Sequence, residues 1–363
     1  MDLFEAVVLS ELLSSRKARR VLRPEDEASA GPGDQAGLPD PAELAIRVRE
    51  RAAALGRELT RAERVAEVHL RESAARGFEA LTFGDDEYPD RLAQIADPPP
   101  VLWIAGTRRV LRVLSVALVG SRAGSGYACE VAESLASDLS SRGVAVVSGL
   151  ARGVDGAAHR GGLTGPGGTI GVLGCGLAVA YPPEHTQLMQ RIQSCGAIIS
   201  EFGPAEPPRK FHFPRRNRII SGISVAVVVV EAAVRSGSLI TARFAADQGR
   251  DVMAVPGSVL TGRNRGGHGL IKDGAKVVET ADDILEEIGV ADSGACLDAA
   301  GHLHLGPPDS LLRQMDAGES YDLDELSKIS GLKSGELMSK LVALELEGFI
   351  RRSEVGRYRR LPG

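Results

Sequence analysis

From Ser115 onward the chain alternates short β-branched runs with helix-like segments. The runs are SVALVG (115–120), VAVVSG (144–149), TIGVLG (169–174), AIISEF (197–202), VAVVVVEA (225–232) and DVMAVPG (251–257). They are apolar at successive positions rather than at alternate ones, so both faces of each strand must be covered. Such runs spaced by helices predict parallel strands joined by crossovers, a doubly wound α/β sheet. Ligands of these sheets sit at the carboxyl ends of the strands.

The flanks carry a different pattern. Residues 1–23 and 42–77 have helical periodicity, and PEDEASAGPGDQAGLPDP (Pro24–Pro41) has the proline, glycine and acid content of a flexible insert. Residues 1–80 therefore read as a small helical domain with insert 24–41, and residues 81–290 as the sheet core, with ADDILEEIG (281–289) its last helix. Residues 291–309 read as a linker. In 310–363, YDLDELSKIS and SGELMSKLVALELEG precede FIRRSEVGRYRRL, two extended runs turning near Gly356. Two helices followed by a hairpin predict a winged helix-turn-helix.

Composition changes this picture at three points. Length, 363 residues, suits two or three domains. The balance of 43 Lys+Arg against 48 Asp+Glu, net −5, offers no hint of a nucleic-acid partner. Glycine makes up 43 of the 363 residues, near 12% against an average of about 7%, which suggests tight strand-to-helix turns and close backbone approach to a ligand. The four cysteines, Cys129, Cys175, Cys195 and Cys296, form no CxxC or His-paired spacing, so no metal site is expected and the thiols are read as reduced. Acids at Asp2 and Glu5 argue against a signal peptide, and no apolar run approaches the roughly 18 residues of a membrane span. The expectation is a soluble, cytoplasmic protein.

Candidate chemistry lies at the strand ends. Gly120-Ser121-Arg122 opens a glycine-rich turn before a helix, where amides and a guanidinium suit a phosphate; the alternative is a packing turn. Its spacing, GSRAGSG, is neither GxGxxG nor a P-loop, so no dinucleotide or other cofactor is expected. Ser148, Gly149 and Arg152 resemble a second backbone cradle. Asp155 and His159 lie four apart and share a helical face, as an acid–base pair, as half of a metal site or, more economically, as a structural Asp-to-His hydrogen bond.

The segment RKFHFPRRNR holds five cations, Arg209, Lys210, Arg215, Arg216 and Arg218, with no acid between Glu206 and Glu231. Phe211, His212 and Phe213 are interleaved with them. Cations for phosphates and rings for base faces are the ingredients of single-strand binding; a solvated loop anchored by a phenylalanine is the plainer reading. Ser236, Gly237 and Ser238 either bind another phosphate or cap the next helix. Glu231 is a candidate carboxylate, or else the ion partner of one of these arginines. In the C-terminal module the second helix is not basic, whereas the hairpin carries Arg351, Arg352, Arg357, Arg359 and Arg360, leaving polyanion contact and protein docking both open.

These residues resemble the DNA-processing protein A family, DprA, also called Smf. The matching stretches include YPDRLAQIADPPPVLWIAG, VALVGSR, VVSGLARGVDGAAH, GGTIGVLGCGL with YPPEH, SEFGP, FPRRNRIISGIS, VVVVEA with SGSLITA, QGRDVMAVPGS and GLIKDGA, in order from about residue 88 to 289. The resemblance implies an extended Rossmann-like core that dimerises, flanked by a sterile-alpha-motif-like N-terminal domain and a winged helix. It also implies a non-enzymatic role in natural transformation: binding and protecting single-stranded DNA and loading the RecA recombinase onto it. The family's DNA contacts carry over to Arg122, the backbone of Ser148 and Gly149, Lys210 and, as stacking ring, Phe213; Arg216, Asn217 and Arg218 share that motif. The N-terminal region departs from the pattern, lacking a glycine-centred hairpin. The rival class is a nucleotide phosphoribohydrolase of the lysine-decarboxylase-like Rossmann group, because Pro166-Gly167-Gly168 begins that group's PGGxGTxxE signature. The remainder of that signature is missing, and the turn precedes a strand instead of following one.

Overall fold

The computed structural model describes residues 1–22, 40–290, 295–297, 303–305, 311, 315, 320–330, 332, 334–346, 350–352 and 357–360. Residues 1–291 form one compact unit and 292–363 a second. The insert expected at Pro24–Pro41 lies outside the described residues up to position 39.

The N-terminal region consists of α1 (Leu3–Ser14), α2 (Arg16–Leu22), α3 (Pro41–Glu50), α4 (Ala52–Leu55) and α5 (Arg57–Arg76). Asp2 and Glu5 close a capping box on α1, and Asp40 caps α3 ahead of Pro41. The segments read as helical, 1–23 and 42–77, are each divided into shorter helices. Ser15 is extended at φ −88° and ψ 122°, and Gly56 sits at φ +44°, where a side chain is strained.

Next come β1 (Glu79–Thr82), α6 (Asp90–Ala93) and β2 (Val101–Gly106). The alternating part follows as β3 (Ser115–Val119), α7 (Gly126–Ser141), β4 (Ala145–Ser148), α8 (Val154–Gly162), β5 (Thr169–Val172), α9 (Thr186–Cys195) and β6 (Ala197–Ser200). It continues with α10 (His212–Ile223), β7 (Ala226–Val229), α11 (Ser238–Asp247), β8 (Asp251–Ala254), α12 (Arg265–Lys272), β9 (Lys276–Val277) and α13 (Ala281–Glu287). The order is β1-β2-β6-β5-β4-β3-β7-β8-β9. Strands from β6 to β9 run parallel, and β2 and β1 add antiparallel at one edge. All six strands read from the apolar runs are present. β1, β2 and β9 were not among them, being either short and half-exposed or, in β2, set directly behind Pro98-Pro99-Pro100.

Both faces are covered, as doubly apolar strands require. Ala117, Val119, Val227 and Val229 pack with α10 and α11 on one face, and Val116, Leu118, Ala226 and Val228 with α7, α8 and α13 on the other. Toward β2 and β6 that second face is closed by the N-terminal helices: Leu9, Leu12, Leu55 and Ala62 share a cluster with Trp103, Met189 and Ile198.

In the second unit β10 (Ala295–Leu297) and β11 (Leu303–Leu305) pair antiparallel within the stretch read as a linker. A three-stranded sheet of β12 (Ser320–Tyr321), β13 (Ile350–Arg352) and β14 (Tyr358–Arg360), in the order β12-β14-β13, accompanies α14 (Leu323–Ser330) and α15 (Ser334–Leu346). Leu326, Leu337, Leu341, Ile350 and Tyr358 form its core. Among the described residues no helix is long and apolar enough to cross a membrane.

One charged group is caught in the seam between helices and sheet. Glu11 of α1 lies 3.5 Å from His69 Nδ1 of α5 and near Arg61, Glu206 and Arg215; burial, reinforced by Glu206, pushes its carboxyl up to about 7. A folded value above the ordinary 4.5 means that the folded state holds this proton more tightly, a contribution complete below pH 4.5 and lost as pH rises through about 7. Glu11→Gln is therefore expected to raise unfolding free energy at pH 8 by about 2 kcal/mol and to leave it unchanged at pH 4. Urea melts of both proteins at the two pH values check this, and an equal effect at both would refute the assignment.

Candidate nucleic-acid interface

The turns after β3 and β4 are built around one buried carboxylate. Amides of Gly120, Gly149 and Ala151 converge on Asp155, at 3.4 Å in the case of Ala151. The anion held by these strand-end amides is the chain's own side chain. Burial raises the Asp155 pKa, and the Arg216 guanidinium beside it opposes the rise. Arg216, from α10, donates to the carbonyls of Gly149 (2.7 Å) and Val172 and to Asn217 Oδ1 (3.2 Å), tying the ends of β4 and β5 together. Burial lowers its pKa to about 10. Gly149 is required there, because a Cβ would stand 2.5 Å from the guanidinium. Gly120 is likewise pressed against Val154.

The Asp155-to-His159 hydrogen bond expected from the sequence is absent. His159 meets Thr169 Oγ1 at 2.8 Å, and that hydroxyl already donates to the Val146 carbonyl at 2.7 Å, so His159 Nδ1 is the donor. Its Nε2 then accepts from the Leu150 amide at 3.3 Å. The ring is neutral, and burial depresses its pKa to about 3. Leu150 holds φ +54°, unusual for a branched residue, and His185 Nδ1 contacts its carbonyl at 3.0 Å. Asp155 and His159 lie on one helix at that spacing, but Asp155 serves backbone amides and His159 serves the Thr169 hydroxyl and the Leu150 amide rather than each other.

Most of the expected contact residues are already engaged. Ser148 is buried, its hydroxyl donating to the Leu118 carbonyl at 2.7 Å. Arg218 is buried between Glu201 (2.6 Å) and Asp97 (3.2 Å), and Arg215 reaches Glu201 at 2.9 Å. Arg152 pairs with Glu184 and Arg209 with Glu206. Asn217 donates to the Gly237 carbonyl at 3.2 Å, and Ser236 and Ser238 bond each other at 2.7 Å in the turn that opens α11. Glu231 takes no arginine: it accepts from the Ser125 amide (3.1 Å) and hydroxyl (2.7 Å) at the start of α7. Ser121 donates its amide to the Glu231 carbonyl at 2.8 Å, leaving its hydroxyl to the local turn. In the second unit Arg357 pairs with Glu325, and the side chains of Arg351, Arg352, Arg359 and Arg360 lie outside the described set. Pro166-Gly167-Gly168 is a packing turn whose middle glycine abuts the Val144 backbone. Among the described residues no cluster of His, Cys, Asp and Glu is gathered for a metal.

What stays open is compact. Arg122 is exposed and lies over the Phe213 ring at 5.0 Å, and the Tyr181 ring leans on Phe213 at 5.5 Å and 39°. These three, with Leu150, Gly174 and Cys175, line a cavity of about 110 Å3 at the carboxyl ends of β3, β4 and β5. Gly174 leaves room for Phe213, since a Cβ would meet its ring at 2.8 Å. Lys210 is exposed in the loop before α10. Tyr181 was not among the residues singled out as contacts; its only sequence signal was membership of YPPEH.

The family model described as DNA recombination-mediator protein A matches residues 79–289. The chain is 45% identical over 210 residues to the DNA processing protein DprA of Streptococcus pneumoniae, spanning 58% of this chain and 74% of that one. It is 40% identical over 273 residues to Protein Smf of Escherichia coli, spanning 72% of each. Among solved structures, that of the S. pneumoniae DprA aligns with TM-score 0.63 at 36% identity over 79% of this chain and 98% of its own. That of Helicobacter pylori DNA processing protein A aligns with TM-score 0.53 at 28% identity, over 58% of this chain and 95% of its own.

Asp155→Asn keeps the shape but removes the charge facing Arg216 and one amide acceptor. It is expected to lower unfolding free energy by about 3 kcal/mol, as breaking a buried pair does. Chemical denaturation measures the loss, and a change below about 1 kcal/mol would mean that the turns do not depend on this carboxylate.

Proposed function

The chain belongs to the DNA recombination-mediator protein A family, and from that membership we propose that it binds and protects single-stranded DNA and delivers it to the RecA recombinase. The observation that carries the reading is the open cation–ring pair. Arg122 and Phe213 stand together at the strand ends while the neighbouring arginines are taken up by acids or backbone. The phosphates run past Arg122 and Lys210, and one base stacks on Phe213 with Tyr181 extending the platform. The H. pylori relative, described as binding single-stranded DNA, supports this reading. RecA delivery, dimerisation through the sheet unit and the assignment of residues 310–363 to a winged helix follow from the family resemblance. The winged-helix assignment is also supported by the succession of α14, α15 and the β13–β14 hairpin.

Arg122→Ala and Lys210→Ala are each expected to weaken binding of labelled oligo(dT) and to make the salt slope shallower by about 0.7 per lost phosphate contact. Unchanged affinity and slope in both would remove the groove from this face. Phe213→Ala is expected to cost about 1–3 kcal/mol of affinity with little change in slope. A change confined to the slope would show that the ring does not stack.

A further inference from the structure

The ion pairs around the strand ends fall into two kinds. Glu201, on which Arg215 and Arg218 converge, has a side chain only 1% exposed. Breaking such a buried pair strands a charge in the interior, so these contacts belong to the fold. Arg152 and Glu184 are different, with side chains 65% and 44% exposed. An exposed pair gains little over two solvated ions, is screened by salt and exchanges partners readily.

The place of this pair points to the partner it exchanges for. Arg152 lines the same cavity as Arg122 and Phe213, beside Tyr181, Pro182 and Pro183. Its turn is packed on that of Arg122: Gly153 holds φ +70°, and a Cβ there would stand 2.9 Å from the Arg122 carbonyl oxygen. Two cations therefore sit on adjoining turns at one cavity. Glu184 comes from the opposite rim, in the single 3-10 turn Pro183–His185. That turn is anchored on both sides, by the Tyr181 ring against Phe213 and by His185 Nδ1 at 3.0 Å from the Leu150 carbonyl. The hydrogen bond from Arg152 holds the Glu184 carboxyl below its ordinary value, so it is an anion at neutral pH. A guanidinium that accommodates a carboxylate accommodates a phosphate by the same donors.

We propose that Glu184 is a resident competitor of the bound strand: its carboxylate occupies Arg152 in the free protein, and a backbone phosphate takes its place on binding. Arg152 then joins Arg122 and Lys210 as a phosphate contact, and the acid keeps the affinity of the groove below what its cations would give by themselves. A lowered affinity shortens the residence of the strand. The proposal rests on the DNA-binding reading above.

Titration of labelled oligo(dT) at low salt into the full chain, Glu184→Gln, Arg152→Gln and the double variant tests it, as a cycle that isolates the pairwise interaction. Both side chains are exposed, so the replacements spare the core. Glu184→Gln is expected to tighten binding about two- to fivefold, the range of an exposed pair, and Arg152→Gln to weaken it. In the Arg152→Gln background the gain from Glu184→Gln is expected to fall by at least about half, because the acid then has no cation to withhold. An equal gain in both backgrounds would report only the removal of a surface charge and overturns the proposal, as does a Glu184→Gln variant that binds no tighter. Arg122→Ala separates this from a failure of the groove. If it weakens binding while Glu184→Gln changes nothing, the groove stands and the competitor falls. If Arg122→Ala, Arg152→Gln and Glu184→Gln all leave binding unchanged, the strand does not lie on this face and both readings fall.

Discussion

Asp155 and Arg216 hold the carboxyl edge of the sheet together. The carboxylate gathers amides from the ends of β3 and β4, and the guanidinium gathers carbonyls from the ends of β4 and β5. Strand ends in a parallel sheet leave such groups without ladder partners, and buried ones are costly to leave unpaired. Here two opposite charges, themselves expensive to bury, satisfy the backbone from opposite sides and offset each other. Gly149 is small because Arg216 occupies the space its side chain would need.

That arrangement decides where an outside polyanion can be held. With the turn amides committed to Asp155, an exposed charge, Arg122, stands beside the flat surface of Phe213 and Tyr181. The dense basic motif of α10 thus divides by depth. Arg216 and Arg218 face inward as framework, Arg215 is half-buried against Glu201, and Lys210 stays outside. His159 and His185 complete the framework by holding both backbone groups of Leu150 in its left-handed conformation.

The N-terminal helices are joined to the sheet by an apolar seam that also encloses charge. Leu9 and Leu12 pack with Trp103, while Glu11, Arg61 and the β6–α10 segment enclose a polar cavity alongside. The helices therefore form part of the wall behind the segment that carries Lys210 and Phe213. A chain of net charge −5 can in this way present a basic face: acids such as Glu201 and Glu184 neutralise particular arginines and leave others exposed.

The amino-acid sequence alone determined the six central strands, the helices between them and the family. Doubly apolar runs have no stable home except a covered sheet, and the motif spacing from about residue 88 to 289 is long enough to be distinctive. It also marked Arg122, Lys210 and Phe213. Only the tertiary structure decided which cations of RKFHFPRRNR are buried, because Arg215 and Arg218 meet Glu201, and Arg218 also Asp97, on other segments, and no local pattern records such a pairing. The breaks at Ser15 and Gly56, the engagement of Glu231 by Ser125 and the place of Tyr181 beside Phe213 were hidden for the same reason. Periodicity reports which face of an element is apolar, whereas the fate of a charge depends on what the fold brings opposite it.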